Sequence, residues 1–359
     1  MTADSTENSH HIEVEHLWKV FGNNPMSALA PENAEKSRSE IQSEFNQVVA
    51  LRDVSFNVKK GETFVVMGLS GSGKSTLVRC LIRLIETTSG SIFVDKEDVT
   101  SLNEKELRDF RRTKISMVFQ NFGLLPHRNV MDNACYGLEI KGMSRLERHQ
   151  KAQKMLDLVG LNGWEDSRVS QLSGGMQQRV GLARALATNT DIMLMDEAFS
   201  ALDPLIRSDM QKQLIALQSE LKKTIVFITH DLDESLRLGD HIGILNGGRL
   251  VQVGTPIDII MSPADDYVAA FVKDVNRAKV IKAKIIMTPA NSSNGVDKSN
   301  LVKVGEDQFL DEFLPKVVCS NANCEVVDKE GNVKGYITQK ELSKALTKEH
   351  VANAGKSPK

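Results

Sequence analysis

The stretch GETFVVMGLSGSGKSTLVRCLIRLI, residues 61–85, reads as a buried strand, a glycine-rich turn and a helix. The turn, GLSGSGKST (68–76), fits G-x-x-x-x-G-K-[ST] and sits between strand and helix, where that motif works. Its glycines, Gly68, Gly71 and Gly73, let backbone N–H groups wrap the β- and γ-phosphates of a nucleotide. Ser70, Ser72 and Thr76 complete the cradle, Lys74 reaches the same oxygens, and Ser75 places its hydroxyl on Mg²⁺.

Outward from this stretch, short apolar runs at 115–119 (ISMVF), 192–195 (IMLM), 224–229 (TIVFIT) and 241–245 (HIGIL) read as strands of a buried sheet. ILNGGRLVQV carries an Asn-Gly turn between apolar segments, a hairpin signal. Met210, Leu214, Leu217 and Leu221 fall on one face of a helix. Residues 121–188 are mostly helical and interrupt the strands, so they predict a helical subdomain inserted in an α/β fold with a largely parallel sheet. At the N-terminal side, residues 11–22 read as a strand ending near Phe21. A polar insertion, residues 23–48, follows it and reads as partly helical. These features predict a first domain over 1–275.

After residue 275 the texture changes. Residues 288–300 (TPANSSNGVDKSN) form a polar, turn-rich loop. Beyond it come a helical run near 307–318, CEVVD, a KEGN turn, VKGYIT and a helix from Gln339, a small α+β domain over 276–348. Residues 349–359 read as a disordered tail. Lys279, Lys282 and Lys284 form a modest basic cluster, a candidate contact with anionic lipid.

The composition, 41% apolar and 26% charged over 359 residues, is that of a soluble globular chain. A net charge of −2 gives no electrostatic case for nucleic acid. No apolar run approaches the ~20 residues that span a bilayer, and the polar, acidic N-terminus does not read as a signal peptide. Cys80, Cys135, Cys319 and Cys324 form no CxxC pair and read as reduced thiols of a cytosolic protein.

DIMLMDEAFSALD (191–203) delivers Asp196 and Glu197 at the end of a buried strand, where α/β ligand sites lie. Asp196 suits the Mg²⁺ shell and Glu197 suits polarising a water for attack on a γ-phosphate. Gln120 and His230 end two further strands and should reach the same site, the glutamine on Mg²⁺ and water, the histidine on the γ-phosphate. SQLSGGMQQRVGLARALA, from Ser170, then offers a second phosphate-binding helix start. With one nucleotide already wrapped by the first loop, this second cradle can serve a nucleotide held by another copy of the chain.

These motifs, with SALD at 200–203, stand in the order and spacing of ATP-binding cassette (ABC) ATPases, which the chain resembles over residues 11–272. The resemblance implies ATP and Mg²⁺ as cofactors and a head-to-tail homodimer in which Ser173, Gly174 and Gly175 face the partner's γ-phosphate. It also places Phe21 and Asp203 among the nucleotide-binding positions. GLSGSGKSTLVRCLIRLIETTSG, FQNFGLLPHRNVMDN and MDEAFSALDPLIRSDMQ are similar to the ATPase subunit of quaternary-amine importers of the glycine betaine/proline type. The insertion after Phe21 belongs to that subgroup too. Met176 replaces the glutamine most ABC proteins carry after LSGG, removing a hydrogen bond to the partner's ribose. CEVVDKEGNVKGYITQKELSKAL resembles a CBS module, and one such module is found where these importers usually carry two.

The resemblance therefore implies an ATPase that powers import of glycine betaine, proline, choline, carnitine or trimethylamine N-oxide. It would lie peripherally on the cytoplasmic face of the inner (plasma) membrane, docked on an integral membrane permease near 121–130, where Phe122, Leu124 and Leu125 cluster. A solute-binding protein would be an indirect partner. The alternative is the ATPase of an exporter or of another small-solute importer. A soluble repair-type chain would need a long coiled coil and a translation-type chain two cassettes, and neither is found.

Overall fold

A computed structural model describes residues 10–346 except 34, 121, 201, 274, 291–296, 298 and 329. The expected disordered tail and most of the 288–300 loop lie outside the described residues. The chain divides into two compact units, Met1–Val253 and Gly254–Lys359.

In the first unit β1 (His10–Phe21) turns its alternate residues Ile12 and Val14 inward, then Leu17 and Val20 beyond a register shift. The insertion follows as two short 3₁₀ turns and α1 (Arg38–Phe45), whose Ile41 is buried against Val20, Ala28 and Val49. Then come β2 (Val48–Lys59), β3 (Thr63–Met67), α2 (Lys74–Leu81), β4 (Ser89–Val94) and β5 (Glu97–Asp98). β2, β1, β4 and β5 form an antiparallel sheet that the sequence reading did not foresee. From Asp53 to Lys59, β2 alternates exposed and buried residues, as a strand covered on one face does.

The chain continues through α3 (Glu104–Thr113), β6 (Ile115–Val118), α4 (Val130–Ile140), α5 (Arg145–Leu158), α6 (Gly174–Ala187) and β7 (Ile192–Asp196). It ends the unit with α7 (Pro204–Leu221), β8 (Thr224–Thr229), α8 (Leu232–Leu238), β9 (His241–Asn246) and β10 (Arg249–Gly254). The second sheet has the order β10-β9-β3-β8-β7-β6, parallel from β9 to β6. Every residue of β3, β7 and β8 is buried, which is why they read as continuous apolar runs. β10 folds back on β9 through Gly247 and Gly248, both at positive φ as a tight hairpin requires. Between the two sheets Phe56 stacks on Phe64 at 4.8 Å, beside Leu77, Val78 and Leu81 of α2. Burying each such side chain contributes about 1.5–3 kcal/mol.

The helical block is α4, α5 and α6, with α4 packed against both others. Asn129, Ser144 and Ser173 cap their N-termini. Asn133, fully buried on α4, bonds the backbone of Leu125 in both directions, so it pins the loop before the helix. On α7, Met210, Leu214 and Leu217 are buried as expected, but Leu221 is exposed, because the helix ends there and turns at Lys222 in the left-handed region.

The second unit begins with α9 (Pro256–Met261) and α10 (Asp266–Val272), which the sequence reading kept with the first domain. α11 (Ala283–Ile286), β11 (Thr288–Pro289), β12 (Leu301–Gly305), α12 (Leu310–Ser320), β13 (Asn323–Val327), β14 (Val333–Ile337) and α13 (Gln339–Leu346) complete it. The sheet order is β11-β14-β13-β12, with β12 and β13 parallel across α12. Val304, Leu310, Phe313, Val326, Ile337 and Leu342 form its core. The basic cluster is not free: Lys284 lies 2.8 Å from Asp307, and Lys282 lies 3.8 Å from the same carboxylate. That shared carboxylate offsets one of the three charges proposed for lipid.

Candidate active site

The loop from Gly68 to Gly73 joins buried β3 to α2. Gly73, at φ +109°, opens α2, and a Cβ there would stand 2.4 Å from the Ala50 carbonyl oxygen. No side chain caps that helix start, so its first N–H groups point outward unpaired by side chains. A helix N-terminus in this state attracts an anion through its free donors and its dipole. Lys74 is 5% exposed, and its Nζ donates to Gly68 O at 2.8 Å and Leu69 O at 3.0 Å. Burial lowers its pKa, while Glu197 and Asp196 pull it back up.

β7 carries Asp196 at its C-terminal end, 1% exposed. Ser75 Oγ donates to Asp196 Oδ1 at 2.9 Å, tying the start of α2 to β7. Burial raises the Asp196 pKa, and the Ser75 bond opposes that shift. Glu197 follows at φ +47°, with its N–H on the Ile228 carbonyl of β8 at 3.0 Å. Gln120 Nε2 donates to Glu197 Oε2 at 2.9 Å, and His230 Nδ1 stands 3.6 Å from the same oxygen.

Phe21, Ser70, Gly71, Gly73, Lys74, Ser75, Thr76, Gln120 and Glu197 share one cavity of about 370 Å³. Gly68 and Ser72 stand behind it, the first accepting from Lys74, the second 4% exposed with its Oγ unpaired. Asp196 and His230 join through the contacts above. Ser173, Gly174, Gly175 and Asp203 do not line the cavity. Ser173 is exposed and caps α6 through Met176 N at 3.3 Å; Asp203 is exposed and caps α7 through Ile206 N at 3.1 Å.

Arg38, Val48 and Ala50 also line the cavity, and the sequence reading missed all three. Val48 and Ala50 lie on β2, the strand that pairs with β1 beside Phe21. Arg38 comes from the insertion, whose polar composition carries no local signal of a cavity.

The donor set fits a magnesium nucleotide. An unpaired helix start and a buried ammonium suit the phosphates; a serine hydroxyl on a buried carboxylate, with a glutamine, suits a hard cation's oxygen shell. The exposed ring of Phe21 offers a face for a base.

A second, more apolar cavity of about 560 Å³ lies between α3 and β6 on one side and α4 and α6 on the other. Met117, Phe119, Tyr136, Ile140 and Arg184 line it. Phe122, Leu124 and Leu125 are half-buried and do not. Arg184 donates to the carbonyls of Phe122 at 2.8 Å and Gly123 at 2.6 Å, so α6 grips the chain just after Gln120.

The family described as "ABC transporter" matches residues 51–200. The glycine betaine/carnitine transport ATP-binding protein GbuA of Listeria monocytogenes is 57% identical over 77% of this chain and 70% of that protein. The glycine betaine transport ATP-binding protein OpuAA of Bacillus subtilis is 53% identical over 78% of this chain and 67% of that one. The trimethylamine N-oxide transport system ATP-binding protein TmoW of Pelagibacter ubique is 44% identical over 91% of this chain and 94% of that one. Among solved structures, a dimeric ATP-binding cassette in a post-hydrolysis state bound to ADP and Pi superposes with TM-score 0.59 at 32% identity. It covers 68% of this chain and 98% of that one.

Proposed function

The chain belongs to the ABC transporter ATP-binding proteins, and from that premise we propose that it hydrolyses ATP to power import of a solute bearing a trimethylated nitrogen. The observation that carries the catalytic half is the meeting of three strand ends on one carboxylate, with Gln120 and His230 both on Glu197 Oε2. The solute class is supported by the relatives, whose names give glycine betaine, carnitine and trimethylamine N-oxide.

Bound Mg²⁺-ATP supplies an electrophilic γ-phosphoryl group. Lys74 and the N–H groups at the start of α2 hold the phosphate charge. Ser75, Asp196 and Gln120 supply oxygens for the metal. Glu197 orients a water and accepts its proton, while Gln120 and His230 keep its carboxylate aimed. Phe21 stacks on the base. Ser173 and Gly174, exposed, and Gly175, half-buried, at an α6 start away from the cavity, serve the nucleotide of a second copy, with Asp203 at the same interface.

The apolar cavity beside α4 and α6 is the docking place for a permease element, and Arg184 connects it to the chain following Gln120. The chain works at the cytoplasmic face of the membrane as a peripheral subunit. No helix of the described residues is long and apolar enough to cross a bilayer. The β-α-β-β-α order of β12 to α13 supports reading the second unit as a CBS-like regulatory module, paired between two copies.

The test is reconstitution of the chain with its permease and solute-binding protein in proteoliposomes. Uptake of labelled glycine betaine or trimethylamine N-oxide should require ATP on this chain's side. Absence of uptake for every trimethylated solute, alongside active ATPase, would overturn the solute class.

A further inference from the structure

The insertion after Phe21 is built to hold one side chain in place. Arg52 on β2, 4% exposed, donates to the carbonyls of Lys36 at 2.6 Å and Asn33 at 3.2 Å. Asn33, 4% exposed, donates to Ser27 O at 2.7 Å, and Gln47 donates to Ser27 Oγ at 3.0 Å and to the Asn24 carbonyl. Ile41 is fully buried. Ser37 and Glu40 close a capping box on α1. A solvated loop would need none of these buried polar contacts.

What this frame presents is Arg38, the first residue of α1. Its guanidinium lines the nucleotide cavity with Lys74 and donates to the Gly71 carbonyl at 3.2 Å. No carboxylate lies within ion-pair distance of it among the described residues. Burial lowers its pKa, and no acid offsets that shift. Lys74, by contrast, has Glu197 and Asp196 in its field. A partly desolvated cation without a counter-charge, in a cavity that also holds an unpaired helix start, is arranged for an anionic ligand.

We propose that Arg38 is a polyphosphate ligand supplied by the insertion, so that α1 reports the charge of the bound nucleotide. This rests on the reading of the cavity as the ATP site. Arginine suits the task because it stays charged and presents several donors at once. One donor holds the Gly71 carbonyl and leaves others for phosphate oxygens.

The test compares Arg38→Ala, Arg38→Gln and Arg38→Lys in the full chain by calorimetric titration with ATP, ADP and adenosine, with Lys74→Ala in parallel. Glutamine keeps an N–H donor for Gly71 but loses the charge; lysine keeps the charge. Arg38→Ala and Arg38→Gln should weaken ATP binding about tenfold, the scale of one partly exposed charge-assisted bond. Arg38→Lys should weaken it by less than about threefold, and adenosine affinity should not change. ATP should slow amide exchange in α1 of the parent chain and not in Arg38→Gln. Wild-type ATP affinity in Arg38→Gln, or an equal loss for adenosine, would overturn the proposal while Lys74→Ala still weakens ATP. If Lys74→Ala also binds ATP normally, the cavity reading itself falls and takes the proposal with it.

Discussion

Glu197 has the least ordinary backbone in the site. A glutamate at φ +47° costs about 1–3 kcal/mol, and the strain is sustained by its N–H on Ile228 and its side chain on Gln120 and His230. Glu197→Gln keeps the shape and removes the proton acceptor. Hydrolysis should fall about 10²–10⁴-fold with ATP affinity retained, as read by single-turnover phosphate release beside equilibrium binding. Asp196 makes the opposite kind of test. Its folded pKa is raised by burial, so the folded state holds a proton the unfolded chain has released, and stability falls as pH rises through that window. At neutral pH the ionised carboxylate is therefore a net cost in the nucleotide-free protein. Asp196→Asn can still accept from Ser75, and should melt at the same temperature or a few degrees higher while Mg²⁺-dependent ATP affinity drops. A lower melting temperature would mean that the buried charge is net stabilising.

Among elements, a short segment after β6 joins the helical block to the phosphate site. Gln120 touches Glu197, Phe122 and Gly123 are held by Arg184 of α6, and Leu125 is fastened to Asn133 of α4. A push on α4 or α6 thus reaches the site without passing through the sheets. The groove between these helices and β6 is where such a push would enter. Ile140 stands on its wall and is 51% exposed, so replacing it does not open the core. Ile140→Asp should reduce transport more than tenfold in proteoliposomes and leave the ATPase activity of the isolated chain within about twofold, since a carboxylate in an apolar contact costs a few kcal/mol. Unchanged transport would remove this groove from the docking role.

Taken over the chain as a unit, the expected nucleotide-site residues that neither line the cavity nor contact its lining are Asp203 and the segment around Ser173. On the proposed head-to-tail reading, a second copy brings that segment. Ser173→Arg should leave ATP binding to the single chain within about threefold and abolish cooperative hydrolysis, because the bulky cation occupies the γ-phosphate position of the other copy. Mixed dimers of Ser173→Arg and Glu197→Gln chains sharpen the measurement: with the segment acting across the dimer, both lesions fall on one nucleotide pairing and the other pairing stays intact. Full activity of the Ser173→Arg homodimer would exclude head-to-tail assembly.

Much of this was legible from local pattern. Residues 61–85 announced the strand, phosphate loop and helix; β7 and β8 stood out because strands buried on both faces must be continuously apolar, and β6 and β9 because each carries a short apolar run. Asp196, Glu197, Gln120 and His230 could be picked as candidates because each follows such a run. Their meeting could not, since it depends on the order β10-β9-β3-β8-β7-β6 that puts three strand ends side by side. The antiparallel sheet escaped notice because β1 carries register shifts that break its alternation, and β4 and β5 are half-exposed. The arrival of Arg38 at Gly71, the pairing of Lys282 and Lys284 with Asp307 and the exposure of Leu221 were equally hidden. A sequence pattern records which face of an element is buried and where its backbone must turn. Which distant element covers that face, and which charges are thereby paired or left free, is decided only when the chain has packed.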